Sequence, residues 1–92
     1  MLTIKRTSQF KKDFKRIVKQ GFDIRPLAEV IDKLSKEEPL DEKFCDHPLK
    51  GEWNGFRECH VKPDWLLIYL VDKGELILTL SRTGSHSDLF NR

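Results

Sequence analysis

Three histidines, His47, His60 and His86, fall in the C-terminal half of a 92-residue chain, each beside an ionic neighbour. His47 follows Asp46, His60 precedes Lys62 and Asp64, and His86 comes four residues after Arg82. Imidazole titrates near neutrality, at about 6.5, so it serves as either acid or base in proton transfer. Several imidazoles with a carboxylate and an arginine, and no metal or cofactor, suit cleavage of RNA by its own 2'-hydroxyl. That reaction needs a base for the hydroxyl proton, an acid for the leaving 5'-oxygen and a cation to stabilise charge on the phosphorane. Exposed aromatics beside such a cluster would stack the flanking bases. Trp65 and Phe90 are the candidates, and core packing is the competing use of Trp65.

Whether these residues meet depends on the elements that carry them. Residues 2–6 alternate apolar and polar side chains, which predicts a half-buried strand with Leu2 and Ile4 inward. Thr7 or Ser8 then caps a helix whose buried face is Phe10, Phe14, Ile17 and Val18, at i, i+4, i+7, i+8 spacing. Lys11, Lys12, Lys15, Arg16 and Lys19 fall between them, and Gly21 supplies the C-cap. A second helix starts near Pro26, presents Leu27, Val30, Ile31 and Leu34, and ends before Pro39. Residues 39–55 lack periodicity and read as a long structured loop.

After Gly55 the period changes. Residues 56–61 read as a strand interrupted by Pro63, and residues 65–71 are a continuous apolar run, expected of a central strand buried on both faces. Asp72-Lys73-Gly74 supplies a hairpin turn, and residues 75–82 return with Leu76, Leu78 and Leu80 on one face. Residues 86–90 form a short terminal segment. The order β, α, α, β, β, β implies an α+β fold: an N-terminal strand, two helices, then an antiparallel meander packed against the helices. An antiparallel hairpin about residues 72–74 brings Arg82 and Asp64 to one end of the sheet, with His60 and His86 beside them and His47 reaching over from the long loop. The predicted cluster is therefore His47, His60, Asp64, Arg82 and His86, flanked by Trp65 and Phe90.

Composition narrows the alternatives. The chain is expected to form a single domain over residues 1–92, too small for a separate cofactor lobe. Its longest apolar run is far below the roughly 18 residues of a membrane span. The opening Met-Leu-Thr-Ile-Lys-Arg carries charge where an export signal is apolar, so a cytoplasmic location is expected, with Cys45 and Cys59 reduced. Zinc is disfavoured because Cys59 and His60, adjacent in a strand, point to opposite faces and no CxxC or HxxxH pair is present. Acidic neighbours argue against a nucleophilic Cys45, and the absence of a Gly-rich phosphate loop argues against an NTPase. Residues 1–36 hold ten Lys or Arg against four acids, net +6, and the remainder seven against eleven, net −4. The basic third suits phosphate attraction or a solvated helix face.

The segments Asp46-His47-Pro48-Leu49-Lys50-Gly51 with Trp53, residues 56–69 with His60-Val61-Lys62-Pro63-Asp64-Trp65, Arg82-Thr83-Gly84-Ser85-His86, and Leu89-Phe90 resemble the YafQ branch of the RelE-like toxins. The resemblance spans nearly the whole chain. It implies a RelE-like fold and a small ribonuclease that cleaves messenger RNA in the ribosomal A site. It also implies a cognate antitoxin that neutralises the toxin and binds operator DNA. By motif it assigns activity to His47, His60, Asp64, Trp65, His86 and Phe90, without deciding which residue is acid and which is base. Lys50, Lys62 and the helix-1 residues Lys11, Lys12, Lys15, Arg16 and Lys19 are the expected RNA contacts. The alternative is a non-catalytic toxin-fold protein that binds a target such as a topoisomerase, or serves only in a repressor complex. A metal-binding module is the third reading.

Overall fold

The computed structural model describes residues 1–90; residues 91 and 92, which the single-domain reading takes in, lie outside the described residues. Along the chain come β1 (Thr3–Arg6), α1 (Ser8–Lys19), α2 (Arg25–Ser35), β2 (His47–Pro48), β3 (Arg57–Lys62), β4 (Trp65–Asp72), β5 (Ile77–Gly84) and α3 (His86–Phe90). The five strands form one sheet in the order β1-β5-β4-β3-β2. β3, β4 and β5 make the expected antiparallel meander, and β1 lies parallel to β5 at the edge. β4 is the middle strand, and its residues 65–69 are all buried, as its unbroken apolar run requires.

Local signals start and stop the helices. Thr7 caps α1 by accepting the Phe10 N–H at 3.0 Å, while its own hydroxyl donates to the Ser81 carbonyl at 2.8 Å and so ties the helix start to β5. Gly21, at φ 85°, follows the helix end in the left-handed conformation that favours glycine. Pro26 sits in the first turn of α2.

Two apolar layers cover the sheet. On one face Phe10, Ile17, Leu27, Val30 and Leu34 of the helices meet Val61, Trp65, Leu67, Tyr69, Leu78 and Leu80. On the other, Leu66, Ile68 and Leu89 pack with Leu49, Trp53, Phe56 and Phe90. This second layer is built by the long loop and α3, and it carries the histidines.

Four details depart from the sequence reading. Residues 39–55 contain 3-10 turns at Glu42–Phe44 and Gly51–Trp53 around β2, whose two residues pair with β3 and are too few to show a period. Leu76 does not join Leu78 and Leu80; it stands in the turn at φ 58°, exposed, and β5 begins at Ile77. Ile4 is largely exposed on the edge strand although Leu2 is buried. Finally, the buried face of α1 is rotated from the expected stripe: Val18 is exposed, and Asp13 is completely buried.

Candidate active site

Strand parity brings the site together. On β3, Glu58 pairs with Ile68 and His60 with Leu66, so both rise from the face of the second layer, while Cys59 and Val61 enter the helix-side core. β2 sets His47 opposite Glu58. Asp46, just before it, accepts from the Tyr69 hydroxyl at 2.6 Å and from Arg57 Nε at 3.2 Å, which holds the loop to the sheet. α3 starts two residues after β5 and delivers His86 and Phe90 to the same side.

The rings form a row. Ring centres lie 6.4 Å apart for His47 and His60, 5.6 Å for His60 and His86, and 6.5 Å for His86 and Phe90. Each imidazole meets an acceptor-only oxygen at Nδ1: the Cys45 carbonyl at 2.7 Å from His47, the Pro63 carbonyl at 3.3 Å from His60, and Asp64 Oδ1 at 3.0 Å from His86. At His86 the carboxylate acceptor favours the proton on Nδ1 and leaves Nε2 of the neutral ring with its lone pair, whereas His47 and His60 meet an acceptor on both ring nitrogens. The hydrogen bond from the His86 side chain, then that from its backbone N–H, holds the exposed Asp64 carboxyl below the usual carboxylate range.

The sequence reading missed Glu58. Its buried carboxylate places Oε1 3.6 Å from His47 Nε2 and 3.4 Å from His60 Nε2, so it faces the working nitrogens of two rings. Only its two-residue offset from His60 in a strand marked it in the sequence. Glu58, His60 and His86 each offer one ligand atom, all within 4.8 Å of one another, an arrangement able to hold a divalent cation. The cysteines do not assemble with them. Cys45 is exposed, and burial, aided by the charges of Asp46 and Glu58, pushes the Cys59 thiol up to about 12.

Arg82 reaches the expected end of the sheet, opposite Ile68, where its side chain pairs with the buried Asp13. Nε donates to Asp13 Oδ2 at 2.7 Å and Nη2 to Oδ1 at 3.2 Å. Asp13 also accepts the Thr83 N–H at 3.2 Å and Arg16 Nη1 at 3.0 Å. Burial alone would raise the Asp13 carboxyl; the hydrogen bonds from Arg82, Thr83 and Arg16 outweigh it and leave the group below its ordinary value.

Trp65 follows the core-packing alternative rather than base stacking. Odd residues of β4 face the helices, so its indole is buried, with Nε1 donating to Thr83 Oγ1 at 3.0 Å. Trp53 and Phe90 instead flank a cleft of about 390 Å³ that Lys50, Glu58 and His86 also line. Lys62 lines one hollow with His60 and another with Asp64. Lys11, Lys12, Lys15 and Lys19 are exposed on α1, the helix that packs on the opposite face of the sheet. Arg16 is not one of this solvated row, because Asp13 and the Thr83 carbonyl hold its guanidinium. No helix among the described residues is long and apolar enough to cross a membrane.

Known proteins share this arrangement of chain. The toxin in a metal-bound crystal structure from Helicobacter pylori is 53% identical and superposes with a TM-score of 0.92, over 98% of this chain and 100% of that one. The Escherichia coli DinJ-YafQ complex contains a chain 37% identical, with a TM-score of 0.88 over 98% and 99% of the two chains. The mRNA interferase toxin YafQ of Escherichia coli K12 is 42% identical over 89 residues, 95% of this chain and 94% of that protein. Residues 2–91 match the family model described as the bacterial toxin of type II toxin-antitoxin system, YafQ, and the chain therefore belongs to that family.

Proposed function

We propose that this protein, a toxin of the mRNA-interferase kind, cleaves messenger RNA on the ribosome through the RNA's own 2'-hydroxyl, by acid-base catalysis without a metal. The row of His47, His60 and His86, anchored at every Nδ1 and backed by Glu58 and Asp64, is the observation that carries this reading. In it, an imidazole of the His47 and His60 pair takes the 2'-hydroxyl proton, with Glu58 stabilising the imidazolium that forms. His86, oriented by Asp64, protonates the leaving 5'-oxygen. Arg82 supplies positive charge near the phosphorane, steadied by Asp13. Lys50 and Lys62 hold flanking phosphates, and Phe90 with Trp53 stacks the neighbouring bases. Such a toxin works in the cytoplasm.

Induced expression in a bacterial host, followed by mapping of messenger 5' ends, tests the reading. New ends within translated codons are the expected result. Growth arrest with intact messengers would reject it.

The cognate antitoxin would meet the basic helix side. A groove of about 500 Å³ there is lined by Ile4, Phe10, Phe14, Ile31 and Leu80 and rimmed by Arg6, Lys11 and Lys15, which suits an acidic segment with an apolar stripe. Operator DNA is contacted only through that antitoxin.

A second reading is favoured by the ligand geometry of Glu58, His60 and His86 and by the metal-bound Helicobacter pylori relative: a divalent cation seated on this trio. Such a cation would occupy the nitrogens that acid-base cleavage needs. Copper or zinc would then inhibit and a chelator would restore cleavage, whereas a metal-dependent nuclease would lose its activity to the chelator.

A further inference from the structure

Arg16 lies on the basic helix, yet its contacts run to the far end of β5 and to α3. Nη1 donates to the buried Asp13 at 3.0 Å, Nη2 to the Thr83 carbonyl at 3.2 Å, and Nη2 stands 3.6 Å from Asp88 Oδ2 on α3. Nε is buried with no hydrogen-bond partner, so the guanidinium is held by its two outer nitrogens at the expense of the third. Gly84 makes the approach possible. A Cβ at that position would lie 2.6 Å from Arg16 Nη2, and its φ of 148° is one that other residues rarely adopt.

α3 depends on tertiary contacts for its place, among them the His86 N–H donating to Asp64 Oδ1 at 3.3 Å. It is five residues long, far shorter than a helix that stands alone. Its start is a reciprocal cap, with the Asp88 N–H donating to Ser85 Oγ at 3.1 Å and the Ser85 N–H to Asp88 Oδ2 at 3.4 Å. The Asp88 carboxylate is thus shared between the cap and Arg16. Leu89 anchors the helix into the second apolar layer.

We propose that Arg16 is a positioning residue, a strut from the buried Asp13 to Asp88 that sets α3, and with it His86 and Phe90, against the end of β5. The proposal rests on the reading that His86 works in RNA cleavage. Asp13 then serves two cationic side chains at once: it steadies Arg82 directly and fixes His86 through Arg16. Lysine cannot replace this arginine, because one ammonium cannot engage Asp13, the Thr83 carbonyl and Asp88 with the geometry of a planar fork.

The test compares the full chain with Arg16→Met, Arg16→Lys and Gly84→Ala. Arg16→Met keeps the apolar stem, Arg16→Lys keeps the charge beside Asp13, and Gly84→Ala displaces the guanidinium without altering it. In each, the amides of Asp88 and Leu89 should exchange with solvent at least about tenfold faster, while those of β4 stay protected. Messenger cleavage should drop about 10²-fold in kcat with KM nearly unchanged. Should Arg16→Met fail to fold, Arg16→Lys and Gly84→Ala still report. Folded variants with wild-type exchange in α3 overturn the strut whatever their activity. Loosened α3 with undiminished cleavage overturns the positioning role. A wild-type chain that cuts no RNA overturns the nuclease reading instead, and the exchange arm still decides on the strut.

Discussion

Nδ1 of His86 and Oδ1 of Asp64 lie 3.0 Å apart, and the His86 backbone N–H donates to the same oxygen at 3.3 Å. One carboxylate thus fixes both the ring and the main chain at the start of α3. His86→Ala should lower cleavage by a factor of about 10² to 10⁴ in a protein that melts like wild type, because the side chain is partly exposed and supports little packing. Asp64→Asn should cost less, since an amide oxygen can still accept the Nδ1 proton. Normal toxicity of a folded His86→Ala protein would remove this residue from the mechanism.

Arg82→Ala should reduce both cleavage and stability. The cation is lost from the phosphorane, and the buried Asp13 carboxylate loses both hydrogen bonds from that guanidinium, the shorter at 2.7 Å. Breaking a buried pair costs about 3–5 kcal/mol, and loss of one transition-state donor about 10²- to 10³-fold in kcat. Denaturant unfolding and single-turnover cleavage separate the two effects. Wild-type cleavage by a folded Arg82→Ala chain would restrict Arg82 to its structural bond.

Acid should weaken the fold through Asp13. Its folded-state pKa is depressed, so its contribution is complete above the unfolded value of about 3.9 and disappears as pH falls through the lower folded value. Asp13→Asn should therefore be destabilising at pH 7, and the gap to wild type should narrow at pH 3. A gap that stays constant with pH would assign the loss to packing alone.

The exposed lysines of α1 should bind ribosomal RNA without taking part in the chemistry. Replacing Lys11, Lys12 and Lys15 with Gln should weaken ribosome association and flatten its dependence on salt, because each phosphate contact releases counterion. Cleavage per bound ribosome should hold. Arg16 does not belong in that set. An unchanged salt slope would reduce these lysines to a solvated helix face.

Antitoxin binding should protect the groove around Phe10, Phe14 and Ile31 and the amides of α1 in hydrogen exchange. Stability should rise with antitoxin concentration by mass action. Protection confined to surfaces away from both the basic helices and α3 would contradict the proposed interface.

Residue order by itself determined the skeleton. The unbroken apolar run of residues 65–71 required a strand covered on both faces, and that strand is the middle one. The meander carried His60, Asp64 and His86 to one end, because an antiparallel hairpin leaves no other arrangement for those offsets. Tertiary structure decided what lies on which face and what meets it there. A register shift between Ile68 and Tyr69 leaves Ser81 without a pairing partner and sets Arg82 opposite Ile68, a change in parity that no periodicity announces. Trp65 went to the core because the helices stand on its side of β4. Nothing in the sequence marks Glu58 or Asp13 for burial, for a charge can be buried only once its partners are in place. The partners of Asp13 lie up to 70 residues away along the chain, and only the folded sheet brings them within hydrogen-bonding distance.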